Sequence, residues 1–199
     1  MPYEVPNRPW EVIGEDLFQL DDNEYLLLAD YYSEFFIVKK LGTDAKSNNV
    51  IRTRKQIFSD YGVATKLISD NGTQYNSEAF VHIAKDWSFD HSTSSQRYPK
   101  SNGFKERHVQ TVNAVLIKAR QTRTDPDLVL VCLRTCPISS NFPSSLKILT
   151  GRRARFNLPA KLIISDLDHR THEELQQRKD EQKLYCDRHA RNLQPFQPG

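Results

Sequence analysis

Glu11-Val12-Ile13-Gly14-Glu15-Asp16-Leu17-Phe18-Gln19-Leu20 decides the fold, because its side chains alternate. Val12, Asp16, Phe18 and Leu20 fall on one side and Ile13, Glu15, Leu17 and Gln19 on the other, which is the period of a β-strand. Asp21-Asp22-Asn23 supplies turn residues, and Tyr25 to Ala29 and Phe35 to Val38 are two more apolar runs of strand length. Three strands with short connections predict an antiparallel meander.

Downstream, the pattern changes period. Asp44 is placed to cap a helix toward Tyr61, with Val50, Ile57, Phe58 and Tyr61 at helical spacing and Gly62 as its stop. Lys66 to Ser69 reads as a short strand ending at Asp70, and Asn71-Gly72 turns the chain at once. Ser77 caps a second helix whose stripe is Phe80, Ile83, Ala84 and Trp87, and Phe89 to Thr93 is a further strand. After a loop rich in Ser, Pro, Asn and Gly, a long helix runs to about Arg120 with Val109, Val112, Leu116 and Ala119 as its apolar stripe. Asp125-Pro126 begins another helix, to Leu133, and Ser144 precedes a short one. The order is that of an α/β domain.

With 199 residues, the chain accommodates one domain of roughly 150 residues and an appendage. The divisions expected are a lead-in at 1–8, a core at 9–160 and a polar helical extension at 161–199. From Asp166 to Arg191 nearly every residue is polar or charged, with Leu167, Leu175, Leu184 and Tyr185 as the candidate anchors. A net charge of +3 does not by itself imply nucleic acid, but basic residues gather in Arg97 to Arg107, in Lys118, Arg120 and Arg123, and in Arg152, Arg153 and Arg155. Cys132, Cys136 and Cys186 have neither C-x-x-C spacing nor a histidine at zinc-finger distance, so no disulfide framework or structural zinc is indicated. No apolar run reaches the roughly 20 residues of a membrane span, so a soluble protein of cytosol or nucleus is expected.

Three acids stand out. Asp16 shares its strand face with Val12, Phe18 and Leu20, and a carboxylate buried there needs compensation. Asp70 ends a strand, where α/β sheets present functional groups, and Glu106 lies in the first turn of the long helix. Each has a bland account alone: a half-exposed strand for Asp16, turn chemistry for Asp70, the helix dipole for Glu106. Together they form the set of hard oxygen donors that a divalent cation needs for phosphoryl transfer. His82, His91 and His108 stand at no recognisable ligand spacing.

The segments Arg8-Pro9-Trp10-Glu11, Gly14-Glu15-Asp16-Leu17, Ala29-Asp30-Tyr31-Tyr32-Ser33, Ile68-Ser69-Asp70-Asn71-Gly72, Arg97-Tyr98-Pro99-Lys100-Ser101-Asn102-Gly103 and Glu106-Arg107 occur in that order. They resemble the integrase catalytic core of gypsy-type LTR retrotransposons and their retroviral relatives, from about Arg8 to Pro159. The 35 residues between Asp70 and Glu106 match that family's spacing. The resemblance implies a ribonuclease H-like fold, a five-stranded mixed sheet flanked by helices. It further implies that Asp16, Asp70 and Glu106 bind two Mg²⁺ or Mn²⁺ ions, with no small-molecule cofactor. The implied activity is that of a polynucleotidyl transferase and endonuclease, trimming DNA 3′ ends and joining them to target DNA, as a homo-oligomer in the nucleus. The loop Ser94 to Gly103 resembles the family's catalytic loop, so Arg97, Tyr98, Lys100, Asn102 and Gly103 are the implied DNA contacts, with Lys105, Arg107 and Lys118 following on the helix.

Full-length relatives carry a zinc-binding module before the core and a barrel or chromodomain after it, and neither pattern occurs here. A fragment or remnant of a larger polyprotein is therefore expected. Gln96, Lys100 and Arg134-Thr135-Cys136-Pro137 depart from the usual pattern but leave the three acids intact. Two alternatives share the sequence: a domesticated DNA- or protein-binding module without catalysis, and a ribonuclease H, which the Ser-Asn-Gly loop disfavours.

Overall fold

A computed structural model describes residues 5–43, 46–93, 103–152, 154 and 169–188, the last segment with side chains over 173–184 only. The alternating stretch forms strand β1, Val12–Leu20, followed by β2, Asn23–Asp30, and β3, Phe36–Gly42. Asp21 adopts φ 54 in the first turn, a left-handed conformation that aspartate tolerates better than most residues. Helix α1, Ser47–Tyr61, leads to strand β4, Lys66–Ser69. Its stop at Gly62 is as expected, with φ 84 and an amide bonded to Phe58 O. Its start is not: Asp44 lies outside the described residues, and the N-cap position is Lys46.

Helix α2, Glu78–Asp86, is capped by Ser77, whose hydroxyl accepts from the Phe80 amide, and β5, Asp90–Thr93, follows. Helix α3 is Gly103–Gln121, and α4, Pro126–Thr135, is capped by Asp125, which accepts from the Asp127 amide. A small hairpin not foreseen in the sequence, β6 (Pro137–Ser139) with β7 (Phe142–Ser144), precedes α5, Ser145–Thr150. Cys132 in α4 and Cys136 at its C-cap are free thiols with their sulfurs 3.6 Å apart.

The main sheet has five strands in the order β3-β2-β1-β4-β5. β1, β2 and β3 pair antiparallel, while β4 joins β1, and β5 joins β4, in parallel. It is the mixed five-stranded sheet flanked by helices that the resemblance implies, the ribonuclease H-like arrangement.

Each face of the sheet buries its own core. On one, Ile13, Leu26, Leu28 and Ile37 meet Val50, Ile57 and Phe58 of α1 and Phe80 and Ile83 of α2. On the other, Phe18, Leu27 and Ala29 meet Phe104, Val112 and Leu116 of α3 and Leu130 of α4. β1 is therefore covered on both sides, and its alternation sends Asp16 toward α3 and Glu15 toward α1.

The polar helix α6, His169–Arg188, is less solvated than its composition suggested. Leu175 is 2% exposed and packs with Val5, Phe142 and Ile148, while Leu184 stays 60% exposed. One anchor among those read from the sequence holds this helix to the β6-β7 corner.

Candidate active site

The register of the central strands brings the first two acids together. β1 and β4 align Val12 with Lys66, Ile13 with Leu67 and Gly14 with Ile68. Two residues further along both strands, Asp16 is level with Asp70, which lies one residue beyond the end of β4. The parallel pairing of β1 with β4 carries the two acids to the same end of the sheet.

Each of the two aspartates commits one oxygen to the main chain. Asp16 Oδ1 accepts from the Leu17 amide at 2.9 Å, and Asp70 Oδ1 accepts from the Gly72 amide at 3.0 Å. The turn chemistry at Asp70 and its place beside Asp16 thus coexist. Behind it, the fully buried Ser69 hydroxyl donates to Asp70 O at 2.8 Å and lies 2.9 Å from His91 Nε2. Burial lowers the His91 pKa, with the Arg54 charge acting in the same direction.

Glu106 is exposed in the first turn of α3, on the helix that Asp16 faces. The acids sense one another: burial raises the Asp16 pKa, the Lys105 ammonium opposes this, and the Asp70 and Glu106 carboxylates raise it again. Among the described residues no three acidic, histidine or cysteine side chains stand close enough to hold a metal ion jointly. The donor chemistry of Asp16, Asp70 and Glu106 suits a hard divalent cation.

Lys105 lies among these acids. Read from the sequence as a phosphate contact, it is 1% exposed, with the three acids and Glu15 acting on its ammonium, Asp16 most strongly and Glu106 least. Burial pulls its pKa down while those charges hold it up. Its aliphatic stem lies on Gly14: a Cβ there would come 2.8 Å from Lys105 Cγ and 3.0 Å from Tyr31 Cε2. Tyr31 stacks on Phe104 with centroids 4.3 Å apart, closing the apolar side of this corner.

Three further charged side chains, Glu15, Arg54 and Asp30, escaped the sequence reading as buried groups. Glu15 and Arg54 are fully buried and paired on the opposite face of β1. Asp30, also fully buried, accepts from the Trp10 amide at 3.0 Å, the Ser33 amide at 2.9 Å and the Ser33 hydroxyl at 2.5 Å. Burial raises its pKa and the Ser33 and Trp10 hydrogen bonds hold it down.

Of the other DNA contacts expected, Arg97, Tyr98, Lys100 and Asn102 lie outside the described residues. Arg107 and Lys118 are exposed on α3, the Arg107 guanidinium 5.9 Å from the Phe104 ring centre. Gly103 opens α3, and a Cβ there would meet nothing within 4 Å among the described residues. His108 is buried in α3 with Nδ1 2.9 Å from Phe104 O, while His82 is exposed.

This sheet order, with helices on both faces, has structural counterparts. A chain of the simian T-cell lymphotropic virus intasome, solved with a PP2A regulatory subunit, superposes with TM-score 0.68 at 15% identity, over 82% of this chain and 63% of that one. The fold is that of an integrase catalytic core. The core domain of BIV integrase gives TM-score 0.62 at 17% identity, covering 70% of this chain and 93% of that one. The HTLV-2 integrase core, in a dimeric form with magnesium, gives 0.59 at 18%, covering 72% and 98%.

In sequence, the chain is 33% identical over 119 residues to the uncharacterized protein K02A2.6 of Caenorhabditis elegans, across 60% of its own length. It is 26% identical over 117 residues to the Gag-Pro-Pol polyprotein of sheep pulmonary adenomatosis virus, across 58%. The matched stretch spans only 9% and 7% of those two proteins. No family model matches the chain.

Proposed function

We propose that this chain is the catalytic core of a retrotransposon integrase, a divalent-metal-dependent enzyme that processes DNA 3′ ends and transfers them to target DNA. The observation that carries the proposal is the placement of Asp16 level with Asp70, on the sheet face covered by the helix that bears Glu106. That relationship gives three carboxylates from three separate elements a common side of the molecule. It is the arrangement that in-line displacement at a phosphodiester calls for, since positioning and charge neutralisation do most of the work.

In this reading Asp16, Asp70 and Glu106 are the metal ligands. A bound divalent cation supplies charge neutralisation at the phosphodiester. The protein's own part is orientation. The Leu17 and Gly72 amides fix one oxygen of each aspartate and so set the direction of the other. Exposed Arg107 and Lys118 on α3 are assigned to phosphate contact, with Gly103 at its start and Arg97, Tyr98, Lys100 and Asn102 before it as the further DNA contacts. Two DNA ends joined in concert call for more than one copy, so the active form is a homo-oligomer, as the dimeric form of the HTLV-2 core illustrates for that protein. DNA as substrate places the activity in the nucleus. No helix among the described residues is long and apolar enough to cross a membrane.

Incubation with Mn²⁺ and a branched DNA mimicking the joined product tests this directly. Wild-type protein resolves the branch and Asp70→Asn does not; equal rates in both contradict the proposal. A second reading, a DNA- or protein-binding module that has kept the fold without catalysis, is favoured by the buried lysine among the acids. It predicts DNA binding with no cleavage in either protein.

A further inference from the structure

We propose that Lys105 is a resident cation of the acidic site, standing in place of one of two divalent ions, so that this chain holds a single divalent cation there. The inference rests on the reading that Asp16, Asp70 and Glu106 form one site, and it fixes how many ions that site accepts.

Lys105 is 1% exposed, and its Nζ has no hydrogen-bond partner among the described residues, an arrangement that a surface-seeking lysine adopts only where charge of opposite sign holds it. The charges acting on it are those of Asp16, Asp70, Glu15 and Glu106. Glu15 is already matched by the Arg54 guanidinium on the other side of β1. What remains is three carboxylates and one ammonium. One divalent cation neutralises that set, whereas a second leaves the site with an excess of positive charge in a partly buried corner.

Sterics fix the lysine in place. Its Cγ and Cδ would lie 2.8 and 3.1 Å from a Cβ at residue 14, so the stem is seated in the space a larger residue would take. Gly14 and Asp16 share a face of β1, so the seated stem runs along the strand surface that carries the first acid. The oxygen supply agrees, because Asp16 and Asp70 each give one oxygen to a backbone amide.

Titration calorimetry of the full chain with Mn²⁺, without DNA, reads the count and the affinity. The wild type is expected to take up one ion. Lys105→Met, which keeps the length and removes the charge, is expected to bind two ions, or one at least about tenfold more tightly, as removal of a neighbouring like charge requires. Lys105→Arg, which keeps the charge, is expected to follow the wild type. Two ions in the wild type, or a Lys105→Met isotherm equal to it, overturns the inference, as does Lys105→Arg behaving like Lys105→Met. Those outcomes leave the acidic site itself standing. No Mn²⁺ uptake by wild type and Lys105→Met alike removes both. Should Lys105→Met fail to fold by circular dichroism, Lys105→Leu replaces it, and the wild-type count still decides.

Discussion

Arg54 of α1 closes on Glu15 of β1 from 39 residues away, its Nε donating to Glu15 Oε2 at 2.7 Å and its Nη2 to Oε1, with both side chains wholly buried. The guanidinium also lies 4.4 Å from the centre of the Phe80 ring. This pair ties α1 and α2 to the strand whose next residue is Asp16, so the acid's backbone is anchored from behind. Removing one partner strands a buried charge. Arg54→Met is therefore expected to lose about 3 to 5 kcal/mol in urea unfolding. The double variant Glu15→Gln/Arg54→Met should lose clearly less than the sum of the two single changes, and additivity would show that the two groups do not interact.

Gly14 is required by contact, since its backbone has no positive φ. A methyl group there meets the Lys105 stem and the Tyr31 ring. Gly14→Ala should cost roughly 1 to 3 kcal/mol, the usual range for overpacking. Adding Lys105→Ala should recover part of it, because the nearest clash is then gone. A loss identical in both backgrounds, followed by chemical denaturation, would show that residue 14 and Lys105 do not touch.

Asp30 serves architecture. Its carboxylate takes the amides of Trp10 and Ser33 together with the Ser33 hydroxyl, joining the approach to β1 to the turn between β2 and β3. Asp30→Ala leaves two buried amides without that acceptor, at about 1.5 to 3 kcal/mol for each charge-assisted bond, so unfolding near room temperature is expected. A thermal midpoint within a few degrees of wild type would contradict this assignment.

Much of this scaffold is legible in the sequence. The alternation in β1 separates Asp16 from Glu15 correctly, and the caps at Ser77, Asp125 and Ser144 are found where short polar residues precede helices. The stripe Val109, Val112, Leu116 and Ala119 is equally clear, and extended back four residues from Val109 it lands on Lys105. Charge masked that signal, since a lysine beside an expected DNA-binding loop reads as a phosphate contact. Arg54 was hidden for the same reason, because its partner is 39 residues distant and local periodicity carries no information about pairing. The β6-β7 hairpin is too short for alternation to register.

Lys179 of α6 should make stability depend on pH. It is 9% exposed, and burial pushes its ammonium down to about 7 from an ordinary 10.5. Between those values the unfolded chain holds the proton and the folded chain does not, so stability rises with pH across that window and falls as pH drops toward about 7. Thermal melts of wild type and Lys179→Met over that range should diverge, the wild type gaining more as pH rises. Parallel curves would mean that Lys179 is solvated in the folded protein.

The meeting of three carboxylates around a cation is tested most directly by anomalous diffraction from crystals grown with Mn²⁺. A peak beside the carboxylates of Asp16 and Asp70 is expected, with Glu106 turned toward it from the first turn of α3. A crystal with no peak there, or with Glu106 directed away from the metal, would contradict it.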